Sequence, residues 1–394
     1  MTRSEPQPDP RIEGDWLQAE ATQAVCRALT GAGHQAWFVG GCVRDALLGL
    51  AVGDIDIATD AWPEEVQRLA EAAGLKAVPT GIEHGTITVV SGGIPHEVTT
   101  FRRDVETDGR RAVVAFADSM EDDARRRDFT MNALYADATG RVEDPLGQGL
   151  VDLASRHLRF IDDPGQRIRE DYLRILRYFR FHARFGDPQA GMDPEALAAI
   201  AANADGLATL SRERVGAELL KLLAVTDPVP AVAAMDHAGV LPRILPGAGI
   251  RALGPLVHLE AEAGRAPDTG LRLAALGGED PAGALRLSKK AAARHALLRA
   301  EAAGTRPPAE LGYRHGAEEA EAILLLRAAL LEQPLLPGDV DRARQGAGQE
   351  FPIMASDLQD RYQGRELGEA LRRAEAIWIA EGFTLGREAL LSRL

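Results

Sequence analysis

The chain has 394 residues, with 45 Lys and Arg against 59 Asp and Glu, for a net charge of −14. This length predicts about two to four domains, and the acidic balance argues against wholesale nucleic-acid coating while leaving room for local basic patches. No run of 18 apolar residues and no apolar signal core follow the polar, proline-rich start; with only Cys26 and Cys42, the composition predicts a cytoplasmic protein with buried, reduced thiols and no membrane association.

In chain order, residues 1–14 read as a disordered leader, and residues 15–30 carry a helical period that ends at Gly31. Ala36 to Val39 is a short apolar strand, after which Gly40-Gly41 turns into CVRDALLG, a helix start whose N–H groups suit phosphate and whose Arg44 adds charge. Beyond Gly53, Asp54-Ile55-Asp56-Ile57 alternates acid and apolar, which sends both carboxylates to one face of an extended strand and both isoleucines into a core. Pro63 opens another helix, and strands are expected at Thr86 to Val90 and His96 to Phe101. Glu97 on the second of these is either a third acid beside the aspartates or a solvated polar residue. The charged, glycine-containing stretch from 102 to 118 reads as a mobile loop.

Residues 126–134, RRDFTMNAL, run from an Arg pair into a strand, with Arg127 and Asp128 at a site's edge and Asn132 facing it. Asp144 in DPLGQG reads as a turn residue. From about 164 the pattern is helical throughout, without internal repeat, and Gly and Pro clusters near 226–230, 242–255 and 303–313 divide it. The domains expected are an α/β unit at 15–160 and helical units at 161–225 and 226–394. His237 is isolated and reads as packing.

Two alternating carboxylates within a strand-turn-helix-turn-strand unit suit two-metal phosphoryl or nucleotidyl transfer. A bare Gly-Gly is usually a turn, and Asp-x-Asp is usually a solvated face; their coupling favours the site. On the expected helix at 170–184, Asp171 and Arg174 stand at i and i+3, with Arg177 and Arg180 continuing the face. Cytosine and adenine both offer an amino donor beside a ring-nitrogen acceptor, so a carboxylate next to a guanidinium fits C and A and mismatches U and G. Standing alone, this helix would read as one laced with surface ion pairs. Ser211 in SRERVGAELLK resembles an N-cap with a structural role. Lys289, Lys290, Arg294 and Arg299 form a basic island that serves either an RNA backbone or a solvated helix face.

GGCVRD followed by GDIDIAT, then RRDFTMNAL, DPLGQG, EDYLRILRYFRF and SRERVGAELLK, in this order, resembles the class II tRNA nucleotidyltransferase and bacterial poly(A) polymerase family. The resemblance covers about residues 30 to 225. It implies an α+β fold, with a polymerase-beta-like nucleotidyltransferase head around a small mixed sheet followed by an all-α neck, body and tail. It implies an enzyme that adds or repairs the 3′-terminal CCA of tRNA from CTP and ATP with Mg²⁺, the rivals being poly(A) polymerase, CC-only or A-only addition, and a non-catalytic tRNA-binding module. It assigns Asp54 and Asp56 to catalysis and metal binding, Gly41, Arg44 and Arg127 to the nucleotide, and Asp171 and Arg174 to the incoming base. Arg177 and Arg180 serve the nucleotide and the helix network, and Asp128 with Asn132 shapes the pocket. In the resembling enzymes a flexible loop falls at 102–118 and is needed for the final A; it is not obviously truncated here.

Overall fold

The computed structural model describes residues 10–108, 111–117 and 119–394. Contacts divide the chain into two compact units, residues 1–218 with 234–244, and residues 219–233 with 245–394.

In the first unit, short apolar segments alternate with glycine turns and form nine strands: β1 (Trp37–Val39), β2 (Ile55–Thr59), β3 (Lys76–Gly81), β4 (Thr86–Ser91), β5 (Ile94–Thr100), β6 (Arg102–Asp108), β7 (Arg111–Phe116), β8 (Tyr135–Ala136) and β9 (Val142–Glu143). Seven of them make a mixed sheet in the order β3-β4-β5-β2-β1-β8-β9, and β6 with β7 makes a separate hairpin. Among the described residues only β2 and β5 pair in parallel. Alternation along these strands buries Ile55, Ile57, Ile87, Val89 and Val98, each at 5 % exposure or less. Burying one such side chain stabilises the fold by about 1.5–3 kcal/mol. The helices Glu20–Thr30 and Pro63–Ala72 cover that face, the second opened by Pro63 at its first turn. The register sets Asp56 beside Glu97, so both leave the sheet on the opposite face.

Several expectations change. The leader is ordered from Pro10 on: Ile12 is buried and its N–H donates to the Gly140 carbonyl, while Val142 donates to that of Pro10. Residues 1–9 lie outside the described residues. The stretch read as a loop at 102–118 is mostly the β6–β7 hairpin, with residues 109, 110 and 118 outside the described residues. β3 pairs with β4 where no strand was expected. The helix expected at 170–184 breaks into Pro164–Glu170 and Leu173–Phe185, because Asp171 is extended, with φ −150° and ψ 105°.

The neck helix Leu173–Phe185 packs its aromatic side on the head. Phe129 lies 5.1 Å from Phe160 and 5.3 Å from Phe181, centroid to centroid, and Phe160 stacks on Tyr178 at 5.4 Å. The described residues of the second unit form helices joined by loops, with a β-bridge between Ala248 and Gly277, one core around Leu256, Leu271, Ile323 and Leu325 and another around Trp378, Leu358 and Leu390. At its centre Arg272, 2 % exposed, pairs with Glu260 at 2.7 Å and donates to the carbonyls of Leu223 and Thr226.

Candidate active site

The site grows from the turn after β1. Gly40 has φ +74° and ψ −119°, a conformation that side-chain-bearing residues rarely adopt, and a Cβ there would lie 3.3 Å from Arg127 Nη1. Gly41 then opens the helix Gly41–Leu47. Asp54 precedes β2, exposed, and Asp56 sits within it, half-buried. Glu97, exposed on β5, is the in-register neighbour of Asp56. Burial and the Glu97 charge, with a further contribution from Asp54, raise the Asp56 pKa to about 6 against the opposing pull of Arg127. Glu97 is thus an acid of the same face.

None of Asp54, Asp56 and Glu97 forms an ion pair with a basic side chain among the described residues. The cluster is therefore chemically suited to a hard cation. No three such groups already converge as a metal site among the described residues.

Arg127 is the basic residue of this face. Its Nε donates to the Tyr135 hydroxyl at 3.2 Å and its Nη2 to Asp123 Oδ2 at 3.0 Å. Arg44 is placed differently from a free phosphate arm. It is 6 % exposed, donates from Nη1 to Asn132 Oδ1 at 2.5 Å and from Nε to Asp45 at 2.8 Å, and lies 4.0 Å over the Phe185 ring. Burial lowers its pKa, with Asp45 opposing.

From Asn132 the chain of hydrogen bonds continues. Its Nδ2 donates to Asp128 Oδ1 at 2.9 Å, and Asp128 Oδ2 accepts from Arg177 Nε at 2.7 Å. Burial alone would raise the Asp128 pKa, but Arg177 and then Asn132 hold it below the usual carboxylate value. The glycine helix, RRDFTMNAL and the neck helix are thereby tied through polar groups, and Arg180 reaches Glu218 at 2.6 Å.

The side chains of Asp171 and Arg174 do not pair with each other among the described residues, although the Arg174 N–H donates to the Asp171 carbonyl at 3.0 Å. Asp171 accepts from Leu173 N at 3.0 Å and from Arg214 Nη2 at 2.7 Å. Arg174 donates to Glu170 at 2.6 Å and to the carbonyls of Arg167 and Arg126 at 2.7 and 3.0 Å. Sequence reasoning missed Arg214, Asp123 and Tyr135. Asp123 carried a signal, since it stands four residues before Arg127, on the helix Met120–Arg125 that ends just ahead of that arginine. In the basic island, Arg294 is held by Asp268 and Glu319 and Arg299 donates to the Ala274 carbonyl, while Lys289 and Lys290 are exposed.

Two family models match, the poly A polymerase head domain over residues 36–159 and the probable RNA and SrmB-binding site of polymerase A over residues 191–249. The solved structure of the Bacillus stearothermophilus CCA-adding enzyme in complex with CTP is 30 % identical over 93 % of each chain, with a TM-score of 0.73. The chain belongs to the tRNA nucleotidyltransferase and poly(A) polymerase family. Among curated members of this family, human mitochondrial CCA tRNA nucleotidyltransferase 1 is 42 % identical over 208 residues, 52 % of this chain and 48 % of that protein. The CCA-adding enzyme of Lacticaseibacillus paracasei is 43 % identical over 210 residues, 53 % of this chain and 51 % of that one. The match thus spans about half the length of these curated relatives. No helix among the described residues is long and apolar enough to cross a membrane.

Proposed function

We propose that this protein is a template-independent nucleotidyltransferase that adds or repairs the 3′-terminal CCA of tRNA, taking CTP and ATP as substrates, and that it works in the cytoplasm. The observation that carries this reading is the carboxylate face of Asp54, Asp56 and Glu97 with Arg127 beside it. The names of its relatives, CCA-adding enzymes and a CCA tRNA nucleotidyltransferase, support the choice of reaction. The two buried thiols, Cys26 and Cys42, fit a reducing compartment.

Asp54 and Asp56, with Glu97 as a neighbouring acid, would hold Mg²⁺. Bound there, the cation supplies activation of the tRNA 3′-hydroxyl and charge neutralisation on the triphosphate. The chain's own groups orient the substrates. The Gly40–Gly41 turn lets backbone approach the phosphates, Arg127 presents its positive edge to them, and Asp128 with Asn132 shapes the pocket. Arg44 acts on the same pocket through Asn132, and Arg177 and Arg180 keep the neck helix in place. Asp171 and Arg174 select the base: a carboxylate oxygen retains acceptor capacity beside Arg214, and Arg174 Nε makes no hydrogen bond among the described residues. That acceptor and donor match C and A and reject U and G. No covalent enzyme intermediate is needed, since catalysis here is positioning and charge stabilisation.

Poly(A) addition is the second reading, favoured by the head-domain model that matches residues 36–159. Asp54→Ala and Asp56→Ala test the shared chemistry. Each is expected to lower nucleotide addition by on the order of 10³-fold, the several kcal/mol such a metal site supplies at about 1.4 kcal/mol per tenfold. Full activity in either variant, measured as labelled CTP incorporation into tRNA, contradicts it.

A further inference from the structure

Asp123 is 1 % exposed and Tyr135 fully buried, yet neither belongs to the carboxylate face. Both are spent on Arg127. The Tyr135 hydroxyl donates to Asp123 Oδ2 at 2.7 Å and accepts from Arg127 Nε at 3.2 Å, and the same Asp123 oxygen accepts from Arg127 Nη2 at 3.0 Å. Two of the three guanidinium nitrogens are therefore occupied from behind. The third, Nη1, makes no hydrogen bond among the described residues and lies against the Gly40 turn, 3.3 Å from where a Cβ on Gly40 would stand. A guanidinium is a rigid planar fork, so fixing two nitrogens fixes the direction of the third.

The other Asp123 oxygen looks elsewhere. Oδ1 accepts from Arg126 Nε at 2.7 Å and from the backbone N–H of Arg102, at 3.4 Å, where β6 begins. Arg102 also donates to the His84 carbonyl, and Ala117, just after β7, donates to the Phe101 carbonyl at 2.8 Å. One buried carboxylate thus holds both the arginine of the site and the root of the β6–β7 hairpin.

We propose that Asp123 and Tyr135 are positioning residues that clamp Arg127 with its Nη1 edge toward the nucleotide phosphates, and that Asp123 makes that clamp sensitive to the root of the β6–β7 hairpin. This rests on the nucleotidyl-transfer reading for the identity of the ligand, and on geometry for the clamp. Burial would raise the Asp123 pKa, but Arg127, Arg126 and the Tyr135 hydroxyl together hold it well below the usual carboxylate range, so the clamp carries its charge at any working pH.

The test uses the full chain and Tyr135→Phe, which keeps the ring and removes only the hydroxyl, with Asp123→Asn as the second variant. With tRNA lacking CCA, Tyr135→Phe is expected to raise the KM for CTP and for ATP about 5- to 20-fold with kcat changed less than about 3-fold, the signature of lost ground-state binding. Hydrogen exchange at the backbone amides of β6 and β7 is expected to accelerate in Asp123→Asn and to stay unchanged in Tyr135→Phe. A Tyr135→Phe enzyme with wild-type KM for both nucleotides overturns the clamp while leaving the reaction intact. If the wild type adds no nucleotide at all, the functional reading fails. The clamp is then read from the Arg127 side-chain Nε–H in NMR spectra: protection from exchange in the wild type and its loss in Tyr135→Phe supports it, and equal exchange in the two overturns it.

Discussion

Asp56 ionises late because burial, and then the Glu97 charge in register with it, oppose a second negative charge on that face. A folded-state pKa of about 6, above the ordinary 3.8, means that the folded chain favours the protonated form. The folded state therefore has its full advantage below pH 3.8, loses it as pH rises to about 6, and carries the whole cost of the carboxylate above that. Asp56→Asn is accordingly expected to raise stability at pH 7.5 without Mg²⁺, on the order of 1 kcal/mol after solvent screening, and to do so less at pH 5. Thermal unfolding at the two pH values checks this; a lower Tm for the variant at pH 7.5 contradicts it. The alternation that buries Ile55 and Ile57 made the Asp54 and Asp56 pair legible in the sequence, because a strand's period is local. The burial of Arg44 was not legible, since its partner Asn132 lies 88 residues away and its stacking ring, Phe185, farther still.

At the scale of elements, the tie between head and neck runs through Asp128, 9 % exposed at its side chain, and Arg177, 31 % exposed. Asp128→Ala leaves Arg177 and the Asn132 amide without their acceptor. It is expected to destabilise the protein by about 2–3 kcal/mol, below the cost for a fully buried pair because water reaches Arg177. Urea unfolding followed by far-UV circular dichroism measures it, and a loss under about 0.5 kcal/mol contradicts the tie. Most elements were visible from period and punctuation: the helix after Pro63, the strands β4 and β5, and the helical second half. The break at Asp171 was hidden, because EDYLRILRYFRF has unbroken helical propensity and the extended residue is held by Arg214, 43 positions on. The β6–β7 hairpin was hidden for the opposite reason, its charged composition resembling a connection. β3, at the sheet's edge with exposed and half-buried residues in no regular order, carries no clear alternation.

Over the whole molecule, a net charge of −14 coexists with a site whose arginines are almost all engaged by acids or carbonyls of the chain itself. In the second unit the same device appears as a structural pair, Arg272 and Glu260, at 2 % and 1 % exposure. Arg272→Ala is expected to cost about 3–5 kcal/mol by leaving Glu260 and the carbonyls of Leu223 and Thr226 unpaired, whereas Arg272→Met with Glu260→Leu is expected to cost clearly less. Chemical denaturation of both variants checks this, and equal losses contradict it. The α+β head followed by helices was legible in the sequence, because the hydrophobic period changes from strand-like to helical along the chain. The central claim is tested most directly by giving the purified protein and Mg²⁺ tRNA transcripts that end before the CCA, with CTP, ATP or both, and sizing the products at single-nucleotide resolution. Growth by three residues only when both nucleotides are present is the predicted result; a long ladder with ATP alone, or no growth at all, contradicts it.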